Sequence, residues 1–189
     1  MNRLNYGCGR DYREGWVNVD VNPAVRADVH ISMGARLPFP DGMFQEVLLD
    51  NVLEHIRKDQ VFEFLDEIHR VCADGARVRI YVPHFTSVFA WANLSHQSTF
   101  AIGVFDCCSP EGGVGSGERY GYGVFKVRRQ RLLLIGHNPV RCRWLGRLPL
   151  NGIFNLGWFW QKAMERFQIF GFDEVYFELE VVKHDPADA

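Results

Sequence analysis

The chain has 189 residues, of which 47% are hydrophobic and 23% charged, a composition typical of one folded domain spanning residues 1–189. Its formal net charge of -2 lacks the cation surplus that phosphate binding needs, so no nucleic-acid partner is expected. The most apolar tract, 148–160, is too short for a membrane span, and the charged N-terminus is unlike a signal peptide, so we expect a cytoplasmic protein.

Short apolar segments separated by turns dominate the first part of the chain. Strands are predicted at 4–6, 16–20, 28–31, 46–49 and 78–82. Residues 60–72 predict a helix, because apolar side chains recur there at i, i+3, i+4 and i+7. Asp74-Gly75 is predicted to end this helix, with glycine in the left-handed conformation. Strands that alternate with a helix and short crossovers predict a parallel α/β sheet.

The pattern changes after Pro83. Residues 84–124 are rich first in aromatic and histidine residues and then in glycine, which indicates a variable segment. Beyond it we predict a strand at 125–135 and a half-buried antiparallel strand at 175–181. Between these strands a helix is predicted at 153–167, with one apolar face formed by Leu156, Trp160, Ala163 and Phe167.

Charge is unevenly distributed over the second half of the chain. Residues 126–147 carry seven Lys and Arg residues and no acid, whereas residues 165–189 carry seven acids and two cations. We expect a solvated basic strand and loop that pair with the acidic segment. The alternative is a basic face that meets an anionic substrate or a membrane surface.

A glycine-rich turn and an acid follow the first two predicted strands. Gly7 and Gly9 allow close approach of the backbone to a ligand, and Asp20 is placed to accept hydrogen bonds from ribose hydroxyls. The third glycine of the dinucleotide fingerprint is Tyr12 here, and Asp20 lies only 11 residues beyond Gly9. The first crossover is therefore too short for a helix that binds a pyrophosphate, and an adenosine ligand without one fits better.

Four segments within residues 3–83 together resemble class I S-adenosylmethionine-dependent methyltransferases. They are LNYGCG, VNVDVNP, LPFPDGMFQEVLLDNVLEHI and RVCADGARVRIYVP, and they are similar to small methyltransferase domains with an LPF…LEH signature. The resemblance implies a Rossmann-like sheet of about seven strands, mostly parallel with an antiparallel C-terminal strand, and S-adenosylmethionine as cofactor. Because the first strand starts at residue 4, we expect the preceding helices of many relatives to be absent.

The resemblance also divides the chain and assigns cofactor contacts. Residues 1–83 would form the cofactor-binding half, 84–124 the acceptor side, and 125–185 the C-terminal strands and helix. Gly7 and Gly9 would lie under the methionine and ribose groups, with Asp20 on the ribose diol. Ser32, where many relatives have an Asp, would accept a hydrogen bond from the adenine amino group. The other implied contact positions are Tyr6, Cys8, Val21, Met33, Asp50, Asn51 and Val52.

Methyl transfer requires alignment of the two reactants, and a general base where the acceptor atom carries a proton. The candidate bases are His84 directly after the fifth strand, His96 in the variable segment, and His55 after the fourth strand. Asp50 and Glu54 are candidates for orienting such a base. The alternative for each histidine is a structural role, with its ring held by local hydrogen bonds.

The remaining expectations concern metals, partners and competing functions. Cys107-Cys108, with Cys142 and His137, match no zinc-binding spacing, so no metal site is expected. Residues 118–121 are a candidate mobile lid. We expect a small-molecule or glycan- or lipid-linked acceptor, with a homodimer as a further candidate assembly. Two alternatives stay open: an NAD-type Rossmann oxidoreductase or epimerase, and a non-catalytic S-adenosylmethionine-binding module.

Overall fold

The computed structural model describes residues 2–108, 124–134, 136, 137, 152, 155–167 and 171–183. The strands in these ranges are β1 (Arg3–Tyr6), β2 (Val17–Asp20), β3 (Val29–His30), β4 (Phe44–Asp50), β5 (Cys72–Pro83), β6 (Val124–Leu133) and β7 (Glu174–Val182). The α-helices are α1 (Val61–Val71), α2 (Val88–Ala92) and α3 (Trp158–Phe167). Short 3-10 turns lie at Leu53–His55, Lys58–Gln60 and Asp106–Cys108.

The seven strands form one sheet in the order β3-β2-β1-β4-β5-β7-β6. Strands β1 to β5 are parallel, and β7 runs antiparallel to both of its neighbours, β5 and β6. The strand order reverses between β1 and β4, and ligands of such sheets bind at the carboxyl ends of the strands beside this reversal. The predicted fold class is confirmed.

Helix α1 packs one apolar face on the sheet, as its periodicity predicts. Phe64, Leu65, Ile68 and Val71 are buried. The end of this helix differs from the prediction, because α1 stops at Val71 and the chain continues directly into β5. Gly75 does have a positive φ of 70°, but it lies in an irregularity of β5. At this irregularity the register shifts, because Phe44 of β4 pairs with Cys72 whereas Glu46, two positions further on, pairs with Arg77.

Two of the four side chains predicted on the apolar face of the last helix are exposed instead. Leu156 precedes α3 and is exposed, as is Trp160. Among the α3 side chains whose burial is described, those of Gln161 and Met164 are buried. Gln161 donates a hydrogen bond to the backbone oxygen of Gln130 on β6 at 2.9 Å. The polar side chain therefore points inward because a sheet carbonyl is available to it, which periodicity in the sequence does not indicate.

The basic and acidic segments pair across β6 and β7, as expected for the part of them that the structure describes. The Arg128 side chain donates to the Glu180 carboxylate, with 2.7 Å between Nε and Oε2. The candidate lid at 118–121 and Cys142 lie outside the described residues. Among the helices of the described ranges, none has the length and apolar character needed to cross a membrane.

Candidate active site

The glycine turn after β1 lies against the chain that follows β4. Gly7 has a φ of 69° and Gly9 a φ of 50°, so both adopt left-handed backbone. The backbone NH groups of Gly7 and Cys8 both donate to the Val19 oxygen, at 2.8 and 3.1 Å. A Cβ on Gly7 would lie 2.6 Å from Cγ2 of Val52, so only glycine fits between the two segments.

Asp20, at the end of β2, binds the glycine turn through its carboxylate. Its Oδ2 accepts from the Gly9 NH at 2.7 Å, and its Oδ1 accepts from the Asn22 NH at 2.8 Å. Each carboxylate oxygen has two lone pairs, so both can accept one further hydrogen bond from a ribose diol. Burial and, second to it, the charge of Asp20 raise the pKa of Tyr6 to about 12, which keeps this hydroxyl protonated.

The crossover between β1 and β2 contains no helix, as its length predicts. A buried side chain, Asn18, fixes it instead. Its Oδ1 accepts from the Arg13 NH at 2.9 Å and from the Asn5 side chain at 3.1 Å. Its Nδ2 lies 3.0 Å from Oδ2 of Asp28 and 3.1 Å from the Trp16 oxygen. Sequence reasoning missed this network, although a polar residue between two valines of a buried strand is a signal of one.

Exposed apolar side chains flank the segment between Asp20 and the end of β3. Val21 is 39% exposed and Met33 is 48% exposed. Ser32 is exposed in the same turn as Met33. A pocket of about 310 Å³ adjoins this turn, and its lining includes Met33, Leu37 and Phe64. Apolar surfaces with a hydroxyl beside them suit the faces and the amino edge of an adenine.

The end of β4 carries the one left-handed non-glycine residue of the described chain. Asn51 has a φ of 54°, and its Nδ2 donates to Oδ1 of Asp50 at 2.7 Å. Its backbone NH donates to the Tyr81 oxygen at 2.9 Å. Asn tolerates this conformation better than most residues, and such strained positions concentrate at functional sites. The turn directs Val52 onto the glycine turn, so the ends of β1 and β4 adjoin.

A histidine that sequence reasoning considered only as a metal ligand bridges two carboxylates beside Asn51. Nε2 of His137 lies 3.0 Å from Oδ2 of Asp50, and its Nδ1 lies 2.7 Å from Oε2 of Glu174. Its ring stacks on Tyr81 with 3.9 Å between the centroids. Burial opposes the charged imidazole, but the hydrogen bonds to both carboxylates prevail and raise the pKa of His137 to about 9. Asp50 and His137 are 87 residues apart, so no local pattern indicates this contact.

The pairing of His137 predicts a pH-dependent stability. Its pKa is about 9 in the folded protein and about 6.5 in the unfolded chain, so its contribution is complete below pH 6.5 and lost as the pH rises through 9. Because the imidazole is 27% exposed, we expect a loss of about 2 kcal/mol, less than the full shift implies.

Urea unfolding of the wild type and of His137→Gln between these pH values measures this loss. The variant should lack the decline, whereas His30→Gln, which changes an exposed histidine on β3, should retain it. If the free energy of unfolding declines equally with pH in the wild type and in His137→Gln, the decline does not come from His137.

The structure places His84 directly after β5 but buries its side chain. Its side chain is fully buried, and both ring nitrogens have partners. Nδ1 lies 2.7 Å from Oγ1 of Thr86, and Nε2 lies 3.1 Å from Oε1 of Glu165 on α3. Hydrogen bonding to His84, together with the Ile102 NH, lowers the pKa of Glu165 despite its burial. Side chains of Thr86 and Glu165 thus hold the His84 ring, and a role of His84 as a base stays a prediction.

His55 and His96, in contrast, are brought together. Their ring centroids are 4.8 Å apart in an edge-to-face arrangement. The segment that carries His96 is bonded to the turn after β4, because the Gln97 NH donates to the Glu54 oxygen at 2.7 Å. The Ser98 hydroxyl likewise donates to the Ile56 oxygen at 2.7 Å. Part of the variable segment therefore lies directly on the turn that follows β4.

Comparison with known proteins points to one family. The family model "Methyltransferase domain" matches residues 6–80 of the chain, which include the glycine turn, Asp20 and the turn after β4. No curated protein matches the chain.

Three solved structures have the same fold at low sequence identity. A SAM-dependent methyltransferase from Archaeoglobus fulgidus aligns with a TM-score of 0.60 and 16% identity, over 95% of this chain and 86% of that one. The complex of the Haloferax volcanii Trm112 methyltransferase activator with its partner aligns with a TM-score of 0.57 and 15% identity, over 97% of this chain and 83% of that one. Geranyl diphosphate C-methyltransferase from Streptomyces coelicolor A3(2) aligns with a TM-score of 0.52 and 16% identity, over 96% of this chain and 72% of that one.

The family match over residues 6–80, together with the fold shared with methyltransferases of known structure, supports a class I S-adenosylmethionine-dependent methyltransferase. It is an enzyme whose cofactor is S-adenosylmethionine. The residues present fit this cofactor. The Asp20 carboxylate retains lone pairs for the ribose diol, and a Cβ on Gly9 would meet no atom closer than 4.0 Å. The helix-free first crossover does not fit the pyrophosphate of an NAD-type enzyme.

Proposed function

We propose that the enzyme methylates a small-molecule acceptor whose reacting atom carries a proton, such as a hydroxyl of a sugar or of a lipid-linked glycan. The observation that carries the proposal is the cluster of Asp50, His137 and Glu174 at the carboxyl ends of β4 and β5. Cofactor residues of this fold surround that rim, and a charged hydrogen-bond acceptor there can bind a hydroxyl.

The chemistry requires little of the protein beyond positioning and one proton acceptor. When bound, S-adenosylmethionine would supply the methyl group of its sulfonium to the acceptor, and S-adenosylhomocysteine would be the leaving group. A hydroxyl oxygen gains positive charge as it attacks, so its proton becomes acidic and a carboxylate is a sufficient base. The hydrogen bond from His137 lowers the pKa of Asp50 despite burial, and Asp50 therefore stays ionised and able to orient that hydroxyl.

Residues 93–98 of the variable segment, here called the covering segment, support an acceptor of limited size. Residues 93–98 lie on the turn at 53–56 through hydrogen bonds of the Gln97 and Ser98 NH groups to the Glu54 oxygen, at 2.7 and 3.2 Å. The Gln97 side chain adds a bond to the His55 oxygen at 3.1 Å. Because these residues are fixed beside the turn after β4, we expect them to bound the acceptor site on one side, which favours a small molecule over a protein side chain on a broad surface.

Transfer of a radioactive methyl group from S-adenosylmethionine to a fractionated cell extract tests the proposal. Label should enter the dialysable or the lipid-extractable fraction. His137→Gln should lower the rate by about 100-fold, the lower end of what one acid–base group contributes, because Asp50 loses the partner that keeps it ionised, while S-adenosylhomocysteine affinity stays unchanged. Label that enters only protease-sensitive or nuclease-sensitive material contradicts a small-molecule acceptor. An unchanged rate in His137→Gln contradicts the role given to the cluster.

A further inference from the structure

Two histidines and a glutamate meet on the turn after β4, next to the cluster of Asp50, His137 and Glu174. Glu54, His55 and His96 each offer one ligand atom, and these atoms all lie within 4.8 Å of one another. Two imidazole nitrogens and one carboxylate oxygen form a donor set typical of zinc and other divalent first-row metals. We propose that Glu54, His55 and His96 form a binding site for a divalent transition-metal ion.

The glutamate of this site is a buried carboxylate. Glu54 is only 1% exposed, and neither of its carboxylate oxygens has a hydrogen-bond partner among the residues that the structure describes. Buried polar groups in native proteins are nearly always satisfied, so an orphan pair of oxygens indicates a missing partner. Burial raises the pKa of Glu54 to about 8, which is the behaviour of a carboxylate without its cation. A divalent ion would supply the charge that this position lacks.

Neighbouring groups orient both imidazoles for metal binding. The Ser95 hydroxyl donates to Oδ1 of Asn93 at 2.8 Å, so at 3.1 Å it accepts from Nδ1 of His55. Nδ1 of His96 faces the Ala90 oxygen at 3.3 Å, which can only accept. Both rings therefore carry their proton on Nδ1, which leaves the lone pair that can bind a metal on Nε2. Metal-ligating histidines typically have this arrangement, with the second nitrogen bonded to an oxygen.

The ligands come from two segments, so an ion would connect them. Glu54 and His55 belong to the turn after β4, whereas His96 belongs to the covering segment. The three ligand atoms lie within 4.8 Å of one another, and metal bonds to His nitrogen are about 2.0–2.1 Å long. Each atom would therefore need to move about 1 Å toward a shared ion. Three protein ligands leave at least one coordination position open, as in catalytic zinc sites. An oxygen of the acceptor can occupy that position.

Cobalt(II) titration of the full-length protein, followed by absorption spectroscopy, tests the site without any acceptor or turnover. We expect one ion per chain, with ligand-field bands and without the charge-transfer band of a cysteine thiolate. Glu54→Gln and His96→Ala should each weaken cobalt binding at least about tenfold, since even partners of metal ligands contribute 10–100-fold. Glu63→Gln and His30→Ala, matched changes at exposed positions, should leave it unchanged.

Thermal unfolding separates loss of the site from loss of the fold. Without metal, Glu54→Gln should melt no lower than the wild type, because it removes an unpartnered carboxylate. Cobalt should raise the melting temperature of the wild type but not of Glu54→Gln. The proposal is overturned if the wild type binds no cobalt, if a thiolate band accompanies binding, or if binding persists in folded Glu54→Gln and His96→Ala. These outcomes do not depend on the identity of the methyl acceptor.

Discussion

Replacement of Asp20 by Ala should weaken S-adenosylhomocysteine binding by at least about 100-fold. Hydrogen bonds to a charged group contribute about 1.5–3 kcal/mol each, so loss of two bonds to the ribose diol removes about 3 kcal/mol or more. The substitution also frees the Gly9 NH, whose 2.7 Å bond to Oδ2 of Asp20 holds the glycine turn. Isothermal titration calorimetry with S-adenosylhomocysteine measures the change.

Two further variants make this test specific. Asp20→Asn keeps one oxygen acceptor and should give an intermediate affinity. Asp59→Ala removes an exposed acid that pairs with Arg57 outside the site, and its affinity should equal that of the wild type. If Asp20→Ala folds and binds with unchanged affinity, the ribose diol is bound by other groups and the assignment of Asp20 is wrong.

Gly7→Ala should lower the free energy of unfolding by about 3 kcal/mol. Of this, about 1 kcal/mol comes from placing Ala at a φ of 69°, and the rest from a Cβ 2.6 Å from Cγ2 of Val52. Gly42→Ala is the matched control, because Gly42 has the same φ of 69° but its nearest atom to a Cβ is 4.0 Å away. It should lose only about 1 kcal/mol. Urea unfolding measures both values.

A double-mutant cycle isolates the contact with Val52. In a Val52→Ala background the clash is absent, so adding Gly7→Ala should lower stability only as much as Gly42→Ala does. Equal losses for Gly7→Ala and Gly42→Ala in the wild-type background contradict the steric explanation. They would mean that the segment after β4 moves aside at little free-energy cost.

The end of β4 lies between two groups of titratable side chains with different proposed tasks. His137 holds Asp50 ionised through a 3.0 Å contact, which suits orientation of an acceptor hydroxyl. Glu54 is close enough to Asp50 and Glu174 for their charges to raise its pKa further, after burial. A cation bound by Glu54 would therefore also reduce the repulsion among the three carboxylates. The acceptor site and the proposed metal site thus adjoin.

The sequence by itself determined the sheet, the glycine turn and the position of Asp20, because these features depend on residues close together in the chain. Period-two and 3.6-residue patterns report which side of a strand or helix is apolar, and glycine reports a turn that other residues resist. The short spacing from Gly9 to Asp20 likewise excluded a helix in the first crossover. Each of these signals is contained within about 20 residues.

The tertiary structure alone decided which polar groups meet. His84 is adjacent to a strand end, yet it pairs with Glu165, 81 residues away, and is buried under α3. His137 reaches Asp50 across 87 residues. Such contacts depend on where crossovers place distant segments, and local periodicity carries no information about that placement. For the same reason α3 buries Gln161, whose partner is a carbonyl on β6, and leaves Trp160 of the predicted apolar face exposed.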